Sequence, residues 1–251
     1  MQTKKPSGYV IYRGPSLING EPIVVVAITK STNSKTGDMV QTYILADNGL
    51  SPVESAKRLL DAAVCGDCKH RRGLGGSCYV NLGQGPRAVY DGVLRGIYPA
   101  HTELSGSTAL EEASWEARRR MVRLGTYGDP AAVPAAVWRG LLHFAEGWTG
   151  YTHQWRNALG LAVRDWCMAS ADTPAERDLA RSLGFRTFRV RTTDQPTMSG
   201  EFQCPAAAES GKRKTCADCG ACNGGVASRK ADPVIVVHGS LAKRFAATVA
   251  A

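Results

Sequence analysis

The chain lacks the sequence signals of several large protein classes. None of its apolar runs approaches the roughly 18 residues that a membrane-spanning helix needs. The first residues, MQTKKPSGYVIYRG, lack the apolar core and the cleavage site of a secretory signal. A Walker loop, a dinucleotide glycine fingerprint, a nucleophile-elbow serine and a zincin motif are absent as well. These absences predict a cytoplasmic protein without a membrane partner and disfavour ordinary nucleotide hydrolases and dehydrogenases.

Acidic residues are few relative to basic ones. The chain has 22 Asp and Glu against 31 Lys and Arg, a formal charge of +9. Basic residues cluster at 69–72, 118–120 and 212–214. This balance predicts a polyanionic partner such as nucleic acid, or an anionic substrate. A solvated basic surface explains it equally well, because charge alone defines no site.

The eight cysteines are unusual for a chain of 251 residues, which is long enough to bury a core without disulfides. The cytosol keeps thiols reduced, so clustered cysteines there more often bind metal or carry out redox chemistry. Disulfides remain the less favoured alternative.

Residues 1–50 are predicted to form an N-terminal β-hairpin or meander region. Asn19-Gly20 separates two apolar runs, and the KTGD segment at residues 35–38 separates the second run from MVQTYILAD. Residues 51–251 are predicted to form a barrel-like α/β domain with cysteine clusters at residues 65–78 and 204–222. A helix that starts at Pro52, after the N-cap Ser51, should run straight into Cys65.

Beyond residue 85, short apolar runs alternate with helical patterns. We predict strands at residues 120–125, 147–151, 165–170, 185–191 and 233–239, and helices at residues 86–94, 109–120, 130–146, 154–162 and 173–184. The alternation favours an α/β fold with a mostly parallel sheet, which we expect to be a partial or irregular (β/α) barrel. In such folds the functional loops follow the carboxyl ends of the strands.

Four cysteines near the carboxyl end form the second cysteine group: Cys204, Cys216, Cys219 and Cys222. Their C-x2-C-x2-C run, with one more cysteine before it, supplies four thiolates and resembles the run that holds 4Fe-4S clusters in bacterial ferredoxins. A tetrahedral zinc site also uses four cysteines. The pattern therefore predicts a metal centre, either an iron-sulfur cluster or zinc.

The first cysteine group consists of Cys65, Cys68 and Cys78, with His70 between them. If His70 is a ligand, the four residues make a closed Cys3His zinc site. If it is not, three thiolates leave one position open, as in a cluster that offers a free iron to a substrate or cofactor. A surface histidine within the basic run at 69–72 is the third interpretation.

Three residues beside predicted strand ends are weak candidates for catalysis. Asp129 lies between glycine and proline in GTYGDP, His153 lies in GYTHQW, and His238 ends the last predicted strand. Each has a structural alternative: Asp129 can cap a helix that begins at Pro130, and the histidines can be packed core residues.

Several segments together resemble an uncharacterised family of phage and bacterial proteins that is distantly similar to the radical-SAM barrels. They are CGDCKHRRGLGGSCYV, RLGTYGDP, GYTHQW and the second cysteine group before VIVVHG. The resemblance implies a cluster at Cys65, Cys68 and Cys78 that binds S-adenosylmethionine in the mouth of a partial barrel, with an auxiliary cluster at the second group. The cysteine spacings of two and nine residues differ from the three and two usual in radical-SAM proteins. The alternative is a zinc-stabilised nucleic-acid-binding protein without catalytic activity.

Overall fold

The computed structural model of the protein describes residues 5–31, 33–100, 108–212, 214–225 and 231–250. Arg213, within the third basic run, lies outside these ranges. All eight cysteines lie inside them, and each is a free thiol. No helix in these ranges is long and apolar enough to cross a membrane.

The first sheet begins with the expected antiparallel meander. Strands β1 (Gly8–Pro15), β2 (Pro22–Ile28) and β3 (Met39–Ala46) pair in order, each antiparallel to the next. Asn19 and Gly20 lie in the first turn, where Gly20 has a φ of 79°. Five consecutive residues of β2 are buried, so this strand is covered on both faces. The predicted meander is confirmed.

Two further strands extend this sheet in parallel. Strand β4 (Met121–Tyr127) pairs with β3, and β5 (Gly147–Thr149) pairs with β4. One residue, Gly150, separates β5 from β6 (Tyr151–Thr152), which is the first strand of a second sheet.

The second sheet is entirely parallel and has the order β6-β7-β8-β10-β9. The remaining strands are β7 (Met168–Ala171), β8 (Thr187–Arg191), β9 (Glu201–Gln203) and β10 (Asp232–Val236). The protein is therefore mixed α/β, as predicted, with one mixed and one parallel sheet. The sequence pattern did not indicate β9, because three residues at a sheet edge show no periodicity.

The helix predicted at residues 86–94 is confirmed, and the other helices are shorter than the sequence pattern suggests. Their bounds are α1 (Pro52–Lys57), α2 (Ala62–Cys65), α3 (Gly85–Leu94), α4 (Ala109–Glu116), α5 (Ala135–Leu142), α6 (Ala158–Ala162), α7 (Pro174–Ser182), α8 (Cys216–Cys219) and α9 (Phe245–Ala250). The predicted continuous helix into Cys65 is wrong. Leu59 has a φ of 60°, which ends α1 and separates it from α2. Pro134 likewise delays the start of α5.

The main hydrophobic core lies under the first sheet. It joins β1–β4 to the buried side chains of α5, including Trp138 and Leu141, which have no exposed surface. Cys167 is also fully buried in this core, as expected for a lone cysteine in an apolar strand.

A buried ion pair joins β8 to the edge strand β9. The Arg189 guanidinium donates to both carboxylate oxygens of Glu201 at 2.8 and 2.7 Å, and both side chains are 1% exposed. Arg177 on α7 lies 3.3 Å from the same carboxylate. Burial alone would raise the pKa of Glu201, but the two arginines and the Met198 amide hold it below its usual value. The second sheet therefore depends on a charged Glu201.

We expect Glu201→Gln to lower the free energy of unfolding at pH 7 by roughly 3 kcal/mol, because it leaves Arg189 buried without its counter-charge. The difference from wild type should persist above the unfolded-state pKa of about 4.3 and shrink as pH falls through the lower folded-state pKa. Urea denaturation at pH 7 and pH 3 measures both effects. Glu146→Gln, at an exposed site, is the matched control and should change stability little. An equal loss in both variants would contradict this assignment.

Candidate functional site

A single cavity of about 470 Å³ lies where strands of both sheets end, and both cysteine groups reach it. From the first group it is lined by Cys65, Cys68 and Cys78, and from the second by Cys204 and Cys216. The three catalytic candidates named above, Asp129, His153 and His238, line it too. The structure thus brings most of the predicted site residues, distant in sequence, to one place.

The first cysteine group lies on a loop that is held by hydrogen bonds to the start of α2 and by a hydrogen bond within the loop. Arg71 donates from Nη2 and Nε to Asp61 at 2.7 and 3.0 Å, at the start of α2. The Cys78 amide donates to the His70 carbonyl oxygen at 2.9 Å, which closes the loop between Cys68 and Cys78. These bonds bring Cys68 and Cys78, which have nine residues between them, to the same cavity.

Gly76 allows this loop to fold back on itself. A Cβ atom there would lie 2.4 Å from the His70 carbonyl carbon and 2.5 Å from the Lys69 oxygen. Both are backbone atoms, so no side-chain rotation relieves the contact. Only glycine fits at this position.

His70 is buried, 8% exposed, and both of its ring nitrogens have partners. Nδ1 lies 2.7 Å from Ser77 Oγ, and Nε2 lies 2.7 Å from Asp172 Oδ2. The interpretation as a surface histidine is therefore wrong. Ligation of a metal by His70 would require one of these hydrogen bonds to break, whereas in this arrangement the ring holds the cysteine loop against the end of β7.

Asp172 is a site residue whose role the sequence did not reveal. It accepts from His70 and lies 3.3 Å from the Lys69 ammonium. Burial would raise the pKa of Asp172, but the hydrogen bond from His70 and the charges of His70, His153 and Lys69 bring it below the usual value. Its sequence position, directly after a strand, was the available signal.

The second cysteine group is held by backbone hydrogen bonds to one strand and to two connecting segments. The Cys216 amide donates to the Lys35 carbonyl oxygen at 3.1 Å just before β3, and the Cys204 amide donates to Val234 O on β10 at 2.8 Å. The Cys222 carbonyl oxygen accepts from the Gly150 amide at 3.0 Å, between β5 and β6. Thr215 and Asp218 form a capping box that starts the short helix carrying Cys216 and Cys219.

Several thiols of each group are poorly accessible to water and interact electrostatically with others of the same group. In the first group, burial raises the pKa of Cys68 to about 12 and that of Cys78 to about 11, and it raises the pKa of Cys65 well above the usual value. In the second, burial raises the pKa of Cys222 to about 12 and that of Cys204 by less. Neighbouring thiols of the same group add to most of these shifts. Such thiols are neutral at pH 7 unless a cation compensates their charge.

As the side chains stand, no set of three or more His, Cys, Asp or Glu residues in the described ranges is arranged to hold a metal ion. The donor chemistry suits soft metals or clusters, but the thiols of each group would have to converge further to complete a coordination shell.

The catalytic candidates have structural partners. Asp129 accepts from the Ala131 amide at 3.0 Å, so it caps a 3₁₀ turn at Pro130–Ala132 rather than the predicted longer helix, and it also accepts from the His153 amide at 2.7 Å. Its pKa is raised, mainly by burial. The His153 ring packs edge-on against His70, with centroids 5.7 Å apart. His238 Nε2 lies 3.0 Å from Lys35 Nζ, and burial together with this ammonium lowers the pKa of His238.

Arg123 on β4 is a further cavity residue that the sequence did not single out. It is 8% exposed, donates from Nη2 to the Tyr79 hydroxyl at 3.0 Å, and lies 5.2 Å from the centre of the Tyr151 ring. Burial alone would lower the pKa of Arg123, but Tyr79, Tyr151 and Cys216 raise it by more. In the sequence, the available signal was a charged residue inside a predicted apolar strand.

Comparison with known proteins gives no relative: no family model matches the chain, and neither a curated protein nor a solved structure is significantly similar to it. Function therefore has to be inferred from the cavity itself.

We expect Gly76→Ala to displace the loop between Cys68 and Cys78, because the added Cβ collides with backbone. The free energy of unfolding should fall by roughly 2 kcal/mol or more, as in other overpacked sites. Chemical denaturation of the purified variant measures this. Gly83→Ala is the matched control, since its Cβ would meet only Asn81 Oδ1 at 3.5 Å. Equal stability of the two variants would contradict the close-packing argument.

Proposed function

We propose that the protein is an iron-sulfur protein of radical-SAM-like architecture, with one cluster at each cysteine group and a substrate in the cavity between them. The observation that carries the proposal is that both groups, separated by more than 120 residues of sequence, line the same cavity. If both groups were structural metal sites, they would not need to line one cavity together with polar residues from the ends of several strands.

The first cysteine group supports a cluster with an open position. It supplies three thiols to the cavity wall, and His70 is held by Ser77 and Asp172 rather than directed to a fourth coordination site. Three thiolates leave one iron of a 4Fe-4S cluster free for a cofactor such as S-adenosylmethionine. When bound, such a cluster would supply one-electron chemistry that amino-acid side chains lack.

The second cysteine group supports a closed, auxiliary centre. It offers four thiols, of which Cys222 is buried behind Tyr151 and Cys204 lies on the cavity wall. Four thiolates complete the coordination of a 4Fe-4S cluster or of a zinc ion. Its backbone is held by Lys35 before β3, by Val234 on β10 and by Gly150.

The strand arrangement supports a partial barrel. Seven strands form two parallel sets joined at Gly150, β3-β4-β5 in the first sheet and β6-β7-β8-β10 in the second. Residues from β3, β4, β6, β8 and β10 line the cavity, which is the expected geometry if this set curves around it. The basic charge of the chain makes a nucleotide or nucleic acid our preferred substrate class.

The proposal predicts a brown protein when the chain is purified without oxygen. Iron and sulfide should be present in equal amounts, with broad visible absorption from thiolate-ligated clusters, by elemental analysis and absorption spectroscopy. A colourless protein containing one or two zinc ions would overturn the cluster assignment. It would favour instead a zinc-stabilised nucleic-acid-binding protein, whose affinity should fall steeply as salt rises.

Cysteine variants separate the two centres. We expect Cys68→Ser and Cys219→Ser each to lose about half of the bound metal, and the double variant to lose nearly all of it, because thiolate ligands are the only soft donors in each group. Cys219→Ser should also lower the thermal midpoint, since binding energy at a closed site is folding energy.

Cys167→Ala is the matched control, because it removes a buried thiol that lies in the main core and in neither group. It should retain all of the metal. A soluble Cys219→Ser protein with full metal content would count decisively against the second centre.

A further inference from the structure

The cavity is lined by charges of both signs. The acidic residues Asp129 and Asp172 have partners within the protein. The cationic residues are Lys35, whose carbonyl oxygen accepts from the Cys216 amide, and Arg123, which interacts electrostatically with Cys216. An anion entering the cavity would therefore be attracted to Lys35 and Arg123.

Arg123 is the more constrained of the two cations. Its side chain extends from β4 and is more than nine-tenths buried, yet no carboxylate in the described part of the chain lies within ion-pair distance of it. The other arginines that are less than 9% exposed in the described ranges differ: Arg177, Arg186 and Arg189 each pair with an aspartate or glutamate. A buried guanidinium without a counter-charge is costly unless an anion completes its environment.

The surfaces next to Arg123 are aromatic. Tyr79 accepts one of its hydrogen bonds and is itself half exposed, and the Tyr151 ring lies beneath the guanidinium. Phe188 packs on Tyr151 with ring centres 4.7 Å apart, and both line the cavity. A flat, apolar group could stack here while its charged end reaches Arg123.

From this arrangement we infer that the cavity binds a small molecule with a flat apolar body and one carboxylate or phosphate group, and that this group pairs with Arg123. The cavity volume of about 470 Å³ is in the range of sites for such molecules. Arginine suits both anions, because its planar fork donates two parallel hydrogen bonds to either. If the protein is the iron-sulfur enzyme proposed above, this molecule is its substrate, and that role rests on the proposed function. Binding itself can be measured independently of catalysis.

A competing explanation is that Arg123 neutralises thiolates of the second cysteine group. Cys216 is near enough to raise the pKa of Arg123. In that case loss of the positive charge should cost metal, and small anions should not bind. The experiment therefore has to measure ligand affinity and metal content on the same samples.

The test is calorimetric titration of the metal-loaded protein with phenyl phosphate, benzoate and phenol. Phenyl phosphate and benzoate distinguish the two anions, and phenol has the same ring without a full charge. We expect at least one anion to bind and phenol to bind at least tenfold more weakly. Arg123→Met should weaken the anion by roughly tenfold or more at unchanged metal content, the loss expected for a charged hydrogen bond.

Arg139→Met removes the same charge at an exposed position of α5 and is the matched control. It should retain wild-type affinity. If Arg123→Met is poorly folded or poor in metal, Arg123→Lys replaces it, since lysine keeps the charge but loses the planar fork. A several-fold weaker anion affinity of Arg123→Lys at full metal content supports the inference.

Three results would overturn it: none of the three probes binds the wild-type protein, phenol binds as tightly as the anions, or an Arg123 variant with full metal content binds them as tightly as wild type. Metal analysis separates these failures from a failure of the proposed function. A protein that contains no iron but binds the anions through Arg123 would disprove the cluster proposal and leave the anion site standing.

Discussion

The backbone of Gly150 connects the parts of the structure on which the site depends. Its amide donates to the Cys222 carbonyl oxygen at 3.0 Å, and its carbonyl oxygen accepts from the Met168 amide at 2.9 Å. One residue thereby links the end of the first sheet, the start of the second sheet and the second cysteine group. A Cβ atom at this position would lie 2.8 Å from the Cys167 sulfur and 2.9 Å from the Trp166 carbonyl oxygen. Close backbone approach is therefore possible only because residue 150 has no side chain.

The same junction explains why one cavity receives residues from so much of the chain. Strands on both sides of Gly150 run parallel, so the segments that follow them emerge at the same edge. Asp129, His153 and Asp172 each follow a different strand and meet there. The two cysteine groups complete the lining of the cavity.

Much of the fold follows from local sequence. The meander is specified by apolar runs separated by turn residues and by Asn19-Gly20, whose turn requires a positive φ. The helix predicted at residues 173–184 forms as α7, with Thr173 as its N-cap and Pro174 at its first position. Local rules failed where tertiary contacts decide the backbone. The break at Leu59 allows Asp61 to accept a hydrogen bond from Arg71. These two residues are ten positions apart in the sequence, and helical periodicity does not predict their contact.

For the site, the sequence alone determined the chemistry available: two groups of closely spaced cysteines, a histidine between two of them, and an excess of basic residues. Those properties are covalent and do not depend on packing. Only the tertiary structure decided that the two groups share a cavity, that both nitrogens of His70 are used by Ser77 and Asp172, and that Arg123 is buried without a carboxylate. These are contacts between residues up to about a hundred positions apart. Their geometry is set by strand order and by burial, which a linear pattern of residues does not contain.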